Sequence, residues 1–130
     1  MVELRRSQLA TPASNPKMMR KAAASDADEV FLDLEDSVAP SEKASARGHL
    51  IEAATEEDWS GTVLSFRMNG VETEWWYRDV IEVVSEAGEY IDDVIVPKVD
   101  GPGTVETVEN LIGAVEMNAG LEPGSIGIEP

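Results

Sequence analysis

The chain has 130 residues, with 26 Asp plus Glu against 10 Lys plus Arg and a formal charge of −16. That length fits one ordinary domain, and the charge excludes a nucleic-acid partner, which would need a clustered basic surface. There is no cysteine, hence no disulfide framework and no thiol nucleophile, and no stretch reaches transmembrane length, so no membrane partner is expected.

The opening Met1-Val2-Glu3-Leu4-Arg5-Arg6 lacks the apolar run of a signal peptide, and a cytoplasmic protein is expected. The acid excess fits a solvated, self-repelling surface of the halophilic kind. Ser7-Gln8-Leu9-Ala10-Thr11 reads as a short strand. Pro12-Ala13-Ser14-Asn15-Pro16 reads as a turn, with Ser14 or Asn15 capping a helix over residues 17–25 and Pro16 at its first position. A strand over 29–35 follows, built on Val30, Phe31, Leu32 and Leu34 but interrupted by Asp33 and Glu35. Ser41 is expected to cap a helix over 42–55. Residues 62–68 form the third strand, closed by Asn69-Gly70. A helix over 74–87 ends at Gly88, a natural C-cap. Residues 93–99 form a fourth strand with Pro97 near its end, because proline cannot donate to a central ladder. A helix over 104–119 and a fifth strand from Ser125 to Glu129 complete the pattern.

Strand alternates with helix four times before the last strand, which predicts an α/β fold with a parallel sheet. Two architectures compete: a five-stranded doubly wound domain, and about half of a (β/α)8 TIM barrel. Strand parity favours the barrel. Asp33 and Glu35 share one face while Leu32 and Leu34 share the other; Ser65, Arg67 and Asn69 oppose Leu64, Phe66 and Met68 in the same way. A sheet covered on both sides would be apolar on both.

Polar residues collect where strands end: Glu35, Asp36 and Ser37 after the second, Arg67 and Asn69 after the third, Lys98 after the fourth, and Thr11, Ser14 and Asn15 after the first. Arg67 is a fixed cation for a carboxylate or a developing oxyanion. Glu35 and Asp36 could ligate a hard divalent ion or orient its waters. Against this stands a purely structural ion pair of Arg67 with Asp33 or Glu35. Lys98 reads as a solvated strand end, and His49 as a boundary residue. Trp75, Trp76 and Tyr77 read as core or subunit contact.

The run Gln8-Leu9-Ala10-Thr11-Pro12-Ala13-Ser14-Asn15-Pro16, with Lys21-Ala22, resembles the HpcH/HpaI aldolase and citrate lyase β-subunit family. So do Val30-Phe31-Leu32-Asp33-Leu34-Glu35-Asp36-Ser37-Val38-Ala39-Pro40, Lys43 and Ala46-Arg47. Arg67-Met68-Asn69-Gly70, Trp76-Tyr77-Arg78-Asp79 and Ile95-Val96-Pro97-Lys98-Val99 continue the likeness, which is greatest to its malyl-CoA lyase branch. The resemblance implies the N-terminal half of a (β/α)8 barrel, about four βα units and the start of strand five, in one domain that continues past Pro130. It implies a Mg²⁺-dependent carbon–carbon lyase acting on a CoA thioester, homo-oligomeric at full length. The alternatives are a citrate lyase β-type reaction, a CoA-independent 2-oxo acid aldolase, a receiver-type signalling domain and a non-catalytic fragment. By the same resemblance Arg67 binds substrate, Glu35 and Asp36 stand near the metal's water ligands, and Pro12, Ser14, Asn15 and Lys21 meet CoA. The direct metal ligands are expected beyond Pro130, Glu129 matching an upstream structural residue, and the 130 residues alone are expected to be inactive. The family pattern has a large aromatic at Ala10, glycine at Ala13 and a basic residue at Asn15, and this chain departs from it at all three.

Overall fold

A computed structural model describes residues 4–130. The opening segment, read above as lacking a signal peptide, begins with residues 1–3, which lie outside the described residues. The strands are β1 (Gln8–Pro12), β2 (Glu29–Asp33), β3 (Val63–Arg67), β4 (Asp93–Ile95) and β5 (Gly127–Glu129). Between them run α1 (Pro16–Ala23), α2 (Lys43–Glu56), α3 (Trp76–Ala87) and α4 (Pro102–Ala119). Among the described residues no helix is long and apolar enough to cross a membrane.

All neighbouring strands pair in parallel, in the order β1-β2-β3-β4-β5. A doubly wound sheet reverses its strand order at a switch point. Here the chain advances one strand at a time, as in a (β/α)8 barrel. The sequential order thus decides between the two architectures and removes the receiver-type reading. The fold is α/β, five consecutive strands of a barrel wall.

Parity sorts the side chains as the sequence predicts. Val30, Leu32, Leu34, Leu64, Phe66, Met68, Val94 and Val96 are buried against the helices. They meet Met19 and Ala22 of α1, Leu50 and Ala54 of α2, Val80 and Val83 of α3, and Val108 and Ile112 of α4. The opposite faces line the inside of the wall. One register line there runs Pro12, Asp33, Arg67, Ile95 and Glu129. Directly paired residues of parallel strands point to the same side, so this line sets Asp33 beside Arg67.

Local chemistry explains where the elements begin and stop, with some departures from expectation. Asn15 caps α1, its side chain accepting the Met18 N–H at 3.1 Å, and Pro16 opens the helix. Ser41 makes no cap; it sits in a 3₁₀ turn (Pro40–Glu42) that leads into α2. Gly88 is the C-cap of α3, as expected, but in a helical conformation (φ −57°), and a second 3₁₀ turn continues from it. Space beside it is tight: a Cβ would come within 2.6 Å of the end of the Leu121 side chain, which would have to shift. The left-handed cap belongs to Gly120 after α4, at φ 77°. The strands are shorter than expected. β2 stops at Asp33, so Glu35 lies in the following loop. β4 stops at Ile95, before Pro97 and a left-handed Lys98 (φ 53°) that turns the chain away.

Candidate functional site

The site forms at the C-terminal ends of β2, β3 and β4. Arg67, the last residue of β3, donates from Nε and Nη2 to the two carboxylate oxygens of Asp33, both at 2.8 Å. This fork-on-fork pair fixes the guanidinium plane. The guanidinium carbon lies 5.2 Å from the centroid of the Phe31 ring, two residues before Asp33 on the same face. Asp33 also accepts from the Glu35 N–H (2.9 Å), the Ser37 N–H (3.1 Å) and the Ser37 hydroxyl (2.7 Å). Burial pushes its carboxyl pKa up. The Arg67 and Ser37 side chains and the two amides outweigh this and hold it at about 2. The same bond to Asp33 raises the pKa of Arg67, so the cation is permanent.

Glu35 is buried and bridges two cations. One oxygen lies 3.4 Å from Arg67 Nε; the other lies 3.2 Å from the Lys98 ammonium and accepts no hydrogen bond. Contact with Glu35, and then its charge, raises the pKa of Lys98. Asp36 is exposed and makes no ion pair among the described residues. Two cavities meet at this cluster. One of about 280 Å³ opens toward β1 and is lined by Ala10, Thr11, Pro12, Asp33, Asp36, Ser37 and Arg67. The other, about 420 Å³, opens toward β4, where Glu35, Asp36, Arg67, Ile95, Pro97 and Lys98 line it. Arg67 and Asp36 face both. A larger cavity of about 600 Å³ lies along α4 and β5 and touches none of these side chains.

The structure therefore brings together Arg67, Glu35, Asp36 and Pro12. Ser14 and Asn15 stand in the β1–α1 turn, but Asn15 spends its side chain on the helix cap. Lys21 is in the last turn of α1, about 9 Å along the helix axis from Asn15. The structure does not bring Lys21 to the cavity beside Pro12. The structural ion pair weighed against a functional Arg67 is present, to both Asp33 and Glu35. It uses Nε and Nη2 and leaves Nη1 without a hydrogen bond among the described residues, while Arg67 lines both cavities.

Two supports escaped the sequence reading. Lys43 is buried; its ammonium donates to the carbonyls of Leu34 and Glu35, both at 2.8 Å, and lies 5.1 Å from the centroid of the Trp75 ring. It pins the loop that presents Glu35 and Asp36. Burial lowers its pKa against the pull of Asp79, Asp33, Glu35 and Asp36. One turn later Arg47 donates to Asp79 at 2.7 Å, and Asp79 accepts from the Asn69 backbone N–H (2.9 Å) and side-chain amide (2.7 Å). The visible signal was the four-residue spacing of Lys43 and Arg47, which puts two cations on one face of a helix.

A second acidic group joins Glu29 and Asp93, which begin their strands, to Glu129, which ends the short β5. Carboxylate oxygens of Glu29, Asp93 and Glu129 lie within 4.8 Å of one another. Arg5 reaches all three, at 3.6, 2.5 and 3.4 Å, and the Ser65 hydroxyl donates to Glu29 at 2.7 Å. A guanidinium thus stands among the three carboxylates. At the strand starts, where Glu29 and Asp93 lie, barrel side chains carry stability and not chemistry. Burial, and the charge of Glu29, raise the pKa of Glu129.

Comparison with known proteins places this geometry. The HpcH/HpaI aldolase/citrate lyase family matches residues 6–128. An L-malyl-CoA/β-methylmalyl-CoA lyase of Cereibacter sphaeroides is 46% identical over 115 residues, 88% of this chain and 36% of the relative. The citrate lyase subunit β of Leuconostoc mesenteroides is 35% identical over 122 residues, 94% of this chain and 39% of the relative. Among solved structures, a magnesium/glyoxylate complex of Haloferax volcanii malate synthase superposes with a TM-score of 0.88 at 21% identity, covering 98% of this chain and 42% of that one. CitE of Mycobacterium tuberculosis, in complex with magnesium, acetoacetate and coenzyme A, gives a TM-score of 0.66 at 27% identity over 96% of this chain and 49% of that one. The chain spans under two-fifths of the length of these two curated relatives. Matched over nearly all its residues, the chain belongs to the HpcH/HpaI aldolase/citrate lyase family.

Proposed function

We propose that the protein is a Mg²⁺-dependent carbon–carbon lyase that cleaves or forms a malyl-CoA-like 3-hydroxyacyl thioester, yielding glyoxylate and an acyl-CoA. The observation that carries this reading is the immobilised Arg67 at the C-terminal end of β3, held by Asp33 through Nε and Nη2 and lining the cavity toward β4. The 46% identity to an L-malyl-CoA/β-methylmalyl-CoA lyase supports the substrate class. The likeness to citrate lyase subunit β supports a second reading, a citryl thioester substrate on the same residues.

The chain's own residues divide the work. Arg67 binds the anionic oxygen that develops when the carbon–carbon bond breaks, and it needs no reorganisation because Asp33 and Phe31 already fix it. Pro12 and Ser14 form the wall of the neighbouring turn along which a CoA thioester would lie; Asn15 supports that turn as a cap, and Lys21 would meet only the far end of so long a ligand. Lys43 keeps the acidic loop in place. The buried Glu35 oxygen without a hydrogen bond and the exposed Asp36 fit a place beside the water ligands of Mg²⁺, not direct ligation. When bound, Mg²⁺ supplies Lewis-acid polarisation and a template for the 2-oxo acid. We propose that its direct ligands lie outside these 130 residues, and that these residues are the N-terminal part of one barrel domain. The unpaired edges of β1 and β5 need further strands. A cytoplasmic, homo-oligomeric enzyme completes the proposal.

The test is Arg67→Ala in the enzyme of full family length, assayed for malyl-CoA cleavage. Turnover falls by about two to three orders of magnitude, the usual cost of one oxyanion donor. Near-normal turnover would refute the role of Arg67.

A further inference from the structure

Lys98 is the one residue other than glycine with positive φ among the described residues, at 53°. An L side chain is disfavoured in the left-handed region, and glycine escapes that penalty. The turn after β4 would therefore form more easily with glycine at this position. What the lysine gains in return within the chain is slight. Its side chain is 63% exposed, and its partner is Glu35 across a 3.2 Å contact that makes no hydrogen bond. With the ammonium end in solvent, the pair is screened on that side and contributes little to stability. Strain in the backbone combined with a weak contact points away from a stabilising role and toward a function.

The surroundings say which function. Lys98 lines the same 420 Å³ cavity as Arg67, in the turn after the adjacent strand, with Glu35 between the two cations. Ile95, Val96, Pro97 and Val99 supply the apolar part of the wall. Glu35 is buried and cannot follow the ammonium outward, whereas the exposed lysine can swing on its flexible stem. The cavity therefore offers a fixed guanidinium and a mobile ammonium on neighbouring strand ends. A molecule with two anionic groups a few bonds apart can engage both.

We propose that Lys98 is a substrate-binding cation that takes the carboxylate of the 2-hydroxy-acid portion of the substrate, leaving Glu35 as it does so, while Arg67 faces the oxygen of the thioester end. This rests on the reading of Arg67 given above. It makes Lys98 a determinant of selectivity for a carboxylate-bearing substrate. No covalent step is involved; the ammonium exchanges one carboxylate partner for another.

Malate is a suitable probe, since it carries the 2-hydroxy-acid carboxylate and a second carboxylate in place of the thioester. The enzyme of full family length is titrated with malate while the Lys98 Cε–Hε and Arg67 Nε–Hε NMR signals are followed. Both move saturably. Lys98→Met weakens malate binding about tenfold or more, the loss of one charge-assisted hydrogen bond, and Lys98→Arg restores most of it. Lys98→Gly separates function from folding: relief of the left-handed strain leaves its Tm equal to or above that of the parent, while malate binding falls. Unchanged binding in Lys98→Met or Lys98→Gly overturns the inference, as do Lys98 signals that malate does not move. If Lys98 responds but the Arg67 signal and an Arg67→Lys variant do not, the Arg67 reading fails and the lysine assignment stands. If Arg67 alone responds, only the lysine assignment falls.

Discussion

Replacing Asp33 by Asn tests the electrostatic centre of the site. In the fold its pKa is held at about 2, against an ordinary value of 3.8. The difference corresponds to about 2.4 kcal/mol, at about 1.36 kcal/mol per unit. Screening by solvent across the open inner face reduces this to about 1.5–2 kcal/mol. Because the folded value is depressed, this stability is fully present above the unfolded pKa, near pH 4, and is lost as pH falls through about 2. Asp33→Asn removes it at neutral pH, which for a chain of this size lowers Tm by about 5–8 °C. Thermal melts by circular dichroism at steps from pH 7 to pH 2 measure both proteins. The gap between them is widest above pH 4 and narrows toward pH 2. Two curves that stay parallel over this range would show that Asp33 titrates near its ordinary value, and the account of the Arg67 clamp would be wrong.

Other expectations concern the support and the surface. Asp79→Ala leaves Arg47 and Asn69 without their buried partner and destabilises by about 3–5 kcal/mol in urea melts; a loss under about 1 kcal/mol contradicts the network. With 26 acids against 10 bases, Tm rises between 0.1 and 1 M NaCl as the Debye length shrinks from about 10 to about 3 Å; a flat curve rejects the self-repelling surface. Arg67→Ala and the Lys98 series complete the set, the first read as turnover and the second as malate affinity against Tm.

Much of the fold was legible because its signals are local. Proline, glycine and asparagine mark the turns, and the period of the apolar residues marks strands and helices. Parity alone assigned Asp33 and Arg67 to one face and Leu32 and Phe66 to the other, and both assignments hold. Element ends were less legible. Ser41 makes no cap, whereas Gly88 caps α3 as expected, though in a helical conformation and packed closely against Leu121, 33 positions later. Lys43 and Arg47 lay in the quoted motif, but their burial could not be seen from composition. A lysine facing two carbonyls and a lysine facing water look the same in one dimension.

Residue type and short-range spacing were enough to set the alternation of strand and helix, the polar inner face and the choice of Arg67, Glu35 and Asp36 as candidates. That the strands advance in order without a switch point, which makes the sheet a barrel wall, follows from the fold alone. So do the pairing of Arg67 with Asp33 before Glu35, the place of Arg5 among Glu29, Asp93 and Glu129, and the left-handed Lys98 beside the cavity. The physical reason is common to all of these. Partner choice among charges depends on which strand ends are neighbours, and that is set by register across residues tens of positions apart.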